Sequence, residues 1–384
     1  MHKTAGSTIS SLLGAFHMAD VSMRYSQFIP RVYNLALSLG FEAGKIMPSR
    51  AFCSDESQGY PIILLAKHFG SFPFNHGLVG GIVATDRHGP HAQHGQDLFI
   101  IQASHVGYDP KNESFGTYRR LQTEKQNETS NCGKICNALD WYLNEYAFAR
   151  NNIYLIKENG KPKIIIDNQL LHTEREEGLM LKLEHFVEVD ERGMPIPETS
   201  LSTSKVFTVS PNLNKYLKDF QWKTLADADT VIGQRLHPDL FYFRRKISEH
   251  PEGRDHLEKN LINVMPYIVT SKWPALTAAQ ANTQVEFDRA FRSISQEPAY
   301  KGKKVFFISG LNVDISPQKD QLFPLTKFIP WAAYVQDEHG NKHTWEQREL
   351  FEKLKEQSTE NPAQINLEAA IEVMERTKEI TLPF

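Results

Sequence analysis

Leu98-Phe99-Ile100-Ile101 and Val305-Phe306-Phe307-Ile308-Ser309 are short, rich in branched and aromatic side chains, and free of charge. Runs of this kind read as strands buried on both faces, as in a largely parallel sheet covered by helices. The first run leads to His105 and the second is closed by Gly310; residues 80–84 form a third, glycine-led run. Around them the apolar period changes. Over residues 25–40, Phe28, Val32, Leu35 and Leu39 recur at helical spacing, with Pro30 near the start and Gly40 placed as a stop. Ile135, Leu139, Leu143 and Tyr146 repeat that pattern beyond Cys132, and Ser130 stands where a cap for the first turn belongs. Residues 153–156 and 163–166 flank Asn159-Gly160, a hairpin signal. Residues 205–300 read as mainly helical, and the tail, with Leu350, Leu354, Leu367 and Ile371 among alternating charges, as outer helices. The expected fold is α/β: a mostly parallel sheet flanked by helices, with added helical segments. Residues 1–336 would form the main domain, including a helical insertion around 205–300, and 337–384 a helical extension.

Composition narrows the partners. With 384 residues, 40% of them hydrophobic, the chain can bury a sizeable core. A formal charge of -3, with Lys and Arg scattered, argues against nucleic acid or an acidic membrane as partner. The stretch 12–18 is broken by Gly14 and His17 and makes a poor signal-peptide core, and no later run is long enough to span a bilayer. A soluble, cytoplasmic protein is expected. Three cysteines in so long a chain speak for thiols or thiolates rather than a disulfide framework.

Three segments place metal-binding side chains in apolar or glycine-rich surroundings: Ala51-Phe52-Cys53-Ser54-Asp55-Glu56, Ala103-Ser104-His105-Val106-Gly107 and Ser130-Asn131-Cys132-Gly133-Lys134. Each falls at the edge of an expected strand or helix, where ligands of open α/β sheets collect. Two thiolates and an imidazole suit Zn2+ and leave a fourth position for water, whose pKa the metal lowers toward neutrality. A helix start at Cys132 would favour its thiolate. Asp55, two residues after Cys53, faces the same way in an extended chain and could orient that water or occupy the open position. The bland alternative is real: a lone Cys is more often a small buried hydrophobe than a ligand. Cys136, one turn after Cys132, reads as core. His68, His76, His88, His91 and His94 form either a solvated turn or a proton relay, and Phe72 and Phe74 either core or the lining of a pocket for a small gas.

These segments follow one another as in a known family. Phe69-Gly70-Ser71-Phe72-Pro73-Phe74, Gly77-Leu78-Val79-Gly80-Gly81, His88-Gly89-Pro90-His91, Ser104-His105-Val106-Gly107 and Ser130-Asn131-Cys132-Gly133 resemble, in order and context, the limiting-CO2-inducible B and C proteins. That family, also called theta-type, is similar to β-type carbonic anhydrases in fold. Cys53-Ser54-Asp55-Glu56 is similar to its Cys-x-Asp-Glu box, and Ile308-Ser309-Gly310-Leu311-Asn312-Val313 to its closing strand. The resemblance covers residues 25–150 and, more weakly, 305–330. It implies a β-carbonic-anhydrase-like fold, zinc on Cys53, His105 and Cys132, Asp55 as the active-site aspartate, CO2 and bicarbonate as substrates, and a homodimer. The chain departs from the β-type pattern at Ser57, where those enzymes carry an arginine that pairs with the aspartate, and at Ser54. Arg50 and Arg87 are the candidates to replace it. Two rivals stay open: a zinc-binding but catalytically silent subunit, and a thiol hydrolase with Cys53 or Cys132 activated by His105.

Overall fold

The computed structural model describes residues 16–83, 97–119, 128–172, 174–213, 230–231, 236–247, 254–318, 321, 323–379 and 381–383. In chain order its main elements are β1 (Met23–Arg24), α1 (Tyr25–Ser38), β2 (Ile46–Ala51), α2 (Gly59–Phe69), β3 (Phe74–Asn75), β4 (Asp97–Asp109), β5 (Ser114–Phe115) and α3 (Gly133–Asn151). There follow β6 (Ile153–Glu158), β7 (Lys161–Asp167), β8 (Ser204–Thr208), α4 (Pro274–Gln296), β9 (Val305–Ile315), β10 (Leu325–Gln336), β11 (Lys342–Glu346), α5 (Gln347–Glu356) and α6 (Leu367–Arg376). By their internal contacts the described residues divide into two units, those up to 134 with those from 279 onward, and those within 135–278.

The first unit is built on an eight-stranded sheet ordered β1-β10-β9-β4-β2-β3, with β11 added to β10 and β5 to β4. Its centre, β9-β4-β2-β3, is parallel, and β10, β1, β11 and β5 join antiparallel. This is the α/β fold with a mostly parallel central sheet that the buried runs predict. Both sheet faces are covered, which is why those runs carry no polar alternation. On one face Leu98, Ile100, Val305, Phe307 and Tyr334 pack with Phe287, Ala290 and Ile294 of α4. On the other, Phe69 of α2 stacks on Phe99 at 4.7 Å, Phe99 meets Phe306 edge-on at 5.6 Å, and Phe28 of α1 stacks on Phe328 at 4.0 Å.

Two expected strand ends move. The first run, expected to end at His105, continues as β4 to Asp109. Gln102, Ser104 and His105 are wholly buried, so polarity there marks internal hydrogen bonding rather than exit to solvent. Gly310 does not close the second run either: β9 runs to Ile315, and the glycine sits where the pairing with β10 shifts register. A Cβ there would lie 2.4 Å from the Phe328 ring and 2.5 Å from Ile329 O, so the glycine permits close approach at a bulge. Residues 80–84 are not a strand of this sheet; only Ile82–Val83 pair, antiparallel, with Gly77–Leu78, and Ala84 lies outside the described residues.

In the second unit the Asn159-Gly160 turn joins β6 to β7 in antiparallel register, Ile153 opposite Ile166, with both turn residues at positive φ (50° and 78°). Pro197–Ser200, β8 and Thr230–Val231 extend this pair to a five-stranded antiparallel sheet. Over 205–300 the expected helix is present in Arg254–Leu261, Met265–Val269 and α4, but the range begins with strand, and Phe241–Arg244 adds another. Strand-favouring Val206-Phe207-Thr208 and Phe241-Tyr242-Phe243 outweigh the weak helical period there. The tail likewise opens with a strand, β11, before α5 and α6. Among the described residues no helix is long and apolar enough to cross a membrane.

Candidate metal centre

Cys53 follows β2 in the loop that leads to a short 3-10 turn, Glu56–Gln58; His105 lies within β4; Cys132 is the residue before α3. These sequence-distant side chains converge. One sulfur or nitrogen atom from each lies within 4.8 Å of the others, and the residues are 4%, 0% and 1% exposed. The two sulfurs are 3.9 Å apart. A tetrahedral ion with metal–sulfur bonds of about 2.3 Å needs an edge of about 3.8 Å between them, so the donor set fits such an ion. His105 Nε2 is buried without a hydrogen-bond partner, a cost that a metal bond would remove. Cys136, expected in the core, is half-buried and is not one of the three gathered residues.

The surrounding residues hold these three side chains in place. The parallel register sets Asn312 opposite His105, and the two-residue period puts Asp314 on the same face. Asp314 Oδ2 lies 2.9 Å from His105 Nδ1 and accepts from Gln58 Nε2 at 2.8 Å and Ser57 Oγ at 3.0 Å; its Oδ1 accepts from Thr326 Oγ1 at 3.1 Å. A carboxylate at Nδ1 fixes the proton there and leaves Nε2 as the free ligand atom. Gln58 is itself fixed, its Oε1 accepting from Asn312 Nδ2 at 2.7 Å while Tyr25 donates to Asn312 Oδ1 at 2.8 Å. Asn131, beside Cys132, donates to Ser57 Oγ at 3.1 Å, and the Gly80 N–H points to Cys53 Sγ at 3.1 Å.

Protons are shared unevenly. The hydrogen bond with Cys132 pulls the Cys53 thiol down to about 4, against burial, with further help from His105 and the Gly80 amide. Cys132 is pushed up, first by Cys53 and then by burial, so one proton serves the sulfur pair. Burial acts to lower His105, but the Cys132 sulfur and the Asp314 carboxylate outweigh it and hold the imidazole well above its usual range.

Asp55 is half-buried and caps the 3-10 turn, accepting the Ser57 N–H at 3.2 Å. Burial pushes its carboxyl up, and the charge of His105 and hydrogen bonds from Glu56 and Ser57 together bring it below the ordinary carboxylate range. Ser57, at the place of the β-type arginine, is 1% exposed and belongs to the Asp314 network. Arg50 is half-buried with no ion pair to Asp55 among the described residues; Arg87 lies outside them. Of the five clustered histidines, His88, His91 and His94 also lie outside the described residues. Of the other two, His68 is held by Asn361 and pulled down to about 4 by burial and Lys67, and His76, 2.5 Å from Ser49 Oγ, is pulled down to about 3 by burial and Arg50, so both are neutral at ordinary pH. Phe72 and Phe74 are 74% and 41% exposed, so neither is a core residue.

Sequence reasoning missed Asp314, Asn312 and Gln58. The available signal was the alternation Asn312, Asp314 inside a run otherwise buried on both faces, where a polar side chain must find internal partners.

No family model matches this chain, and no curated protein matches it in sequence. Among solved structures it is similar to PtLCIB4, a homolog of the limiting CO2-inducible protein LCIB, at 10% identity over 87% of this chain and 98% of that one, with a TM-score of 0.47. It is also similar to LCIB itself, at 11% identity over 89% and 99%, with a TM-score of 0.39. Both carry the name of the family that the sequence resembles. At this distance function is argued from the chain's own residues.

Proposed function

We propose that this protein is a zinc-dependent carbonic anhydrase that converts carbon dioxide and water to bicarbonate and a proton. The observation that carries the proposal is the buried meeting of two thiols and one imidazole, with the imidazole's second nitrogen tied to Asp314. Three protein ligands are the usual share of a zinc site that keeps one position open for chemistry. Bound there, zinc would act as a Lewis acid that makes water ionisable near neutral pH. The protein's own groups set the conditions. Asp314 holds the His105 tautomer, the Gly80 N–H steadies the Cys53 sulfur, and burial keeps competing water away. Asp55, ionised and half-buried, is proposed to accept a hydrogen bond from the reacting water and orient it. A homodimer belongs to the same proposal, on the strength of the sequence resemblance.

One observation favours a second reading. Ser57 is locked into the Asp314 network where β-type enzymes have an arginine, so Asp55 has its partner from the Ser57 backbone instead. A metal-binding but catalytically silent subunit would tolerate that change. Stopped-flow measurement of CO2 hydration on protein of known zinc content separates the two. The proposal expects activity that disappears on chelation and returns with zinc; fully zinc-loaded protein without activity overturns it in favour of the silent subunit.

A further inference from the structure

The Gly80 N–H that meets Cys53 belongs to a segment, residues 77–83, whose only regular pairing is two residues on two. It runs backbone against backbone with the metal loop. A Cβ on Gly77 would fall 2.4 Å from Phe52 O, and one on Gly81 would fall 2.4 Å from Ala103 O. Gly80 and Gly81 also have φ of 85° and 75°, which side-chain-bearing residues rarely adopt. Inside the segment the Gly81 N–H closes a turn on Leu78 O at 3.1 Å; from outside, Gln102 of β4 donates to Gly81 O at 3.2 Å, and α4 holds the residues on either side. Asn282, wholly buried, donates to Gly80 O at 3.2 Å and to Ser104 Oγ, beside His105, at 2.8 Å. One turn on, buried Glu286 accepts the Val83 N–H at 2.8 Å, and Arg289 donates to Val83 O and to Glu286, the latter at 2.7 Å.

Resting on the metal reading, we infer that Asn282 is a positioning residue of the centre: it holds Gly80 so that the N–H stays on the Cys53 sulfur, and thereby sets that thiolate's donor strength. A hydrogen bond to a thiolate withdraws electron density from sulfur. Released from it, the sulfur donates more and is easier to oxidise, so its charge-transfer band to a bound metal moves to lower energy. Outer partners of this kind are worth about 10–100-fold in metal affinity.

The test uses the full chain loaded with Co2+, whose thiolate charge-transfer absorption reads the sulfur directly. Asn282→Leu should move that band to lower energy and, because the loop no longer holds the sulfur in place, an effect larger than the gain in donor strength, weaken Co2+ binding by about tenfold. Thr283→Val, which removes bonds from the same helix to Ala279 O and Gly310 O, should move neither. Asn282→Asp, of the same shape without amide hydrogens, is read in the same way if the leucine variant does not fold. In the unsubstituted protein loaded with cadmium-113, the Gly80 amide hydrogen should couple to the metal through sulfur. An unmoved band in a cobalt-loaded Asn282 variant, or an uncoupled Gly80 amide, overturns the inference alone. Unsubstituted protein that takes up neither metal overturns the metal reading and this inference with it.

Discussion

The N-terminal and C-terminal halves of the same two strands do opposite work. Leu98 to Ile101 of β4 and Val305 to Ile308 of β9 are apolar and buried between helices. A few residues on, equally buried, come Gln102, Ser104, His105 and Asp109 on β4, and Ser309, Asn312 and Asp314 on β9. Burial is the same in both halves; only the second must satisfy polar groups internally, which is costly unless partners are complete. The apolar half therefore holds the fold, and on the proposed function the polar half holds a metal. Two atoms of that half are buried without a hydrogen-bond partner, Asp109 Oδ2 and His105 Nε2, and the second belongs to the residue gathered with the two sulfurs.

The comparison can be broken most directly at the ligands. Cys53→Ala, His105→Ala and Cys132→Ala should each abolish stoichiometric zinc binding, while Cys136→Ala should retain about one ion per chain by metal analysis. Equal loss at Cys136 would show that the ligand set is wrong. In the apolar half, Phe307→Ala should cost about 3–5 kcal/mol of stability in denaturant unfolding and leave the zinc affinity of the folded protein unchanged. If zinc affinity falls with stability, the halves are not separable.

Asp314→Asn should do the reverse, lowering zinc affinity by about 10–100-fold in competition titrations with a chelator, with a smaller loss of stability. The amide can no longer accept all the bonds that His105, Gln58, Ser57 and Thr326 now make. An unchanged zinc affinity would reduce Asp314 to scaffolding.

That division explains what the sequence disclosed. Apolar runs such as 98–101 and 305–309 announce buried strands because hydrophobic period is a local property. His105, inside β4, was misplaced at a strand end because a polar side chain in one sequence reads as an exit to water. Cys53, His105 and Cys132 were singled out by residue type and by resemblance, since their long separations leave no local signature. Asn282 leaves no mark in the sequence, and Asp314 shows only as a polar residue in a buried run, without its partner: each acts across more than 170 residues of chain, on Ser104 and His105 respectively (separations 178 and 209), through contacts that only the folded register creates.

Acid sharpens the comparison least, because it acts outside the ligands. His68 and His76 are held to about 4 and about 3 in the folded protein, whereas an unfolded histidine titrates near 6.5. Their contribution is therefore complete above about pH 6.5 and is lost as pH falls toward 4 and then 3, because the unfolded chain takes up protons that the fold refuses. His68→Gln should flatten the upper part of this acid limb in unfolding curves. An unchanged limb would place the titration elsewhere.

The central claim is that Cys53, His105 and Cys132 make a zinc centre with one remaining coordination position. X-ray absorption at the zinc edge tests it on the unsubstituted protein. The account predicts two sulfurs at about 2.3 Å and two lighter atoms, one of them imidazole nitrogen, at about 2.0–2.2 Å. A shell without sulfur, a shell of sulfur alone, or protein that binds no zinc would contradict it.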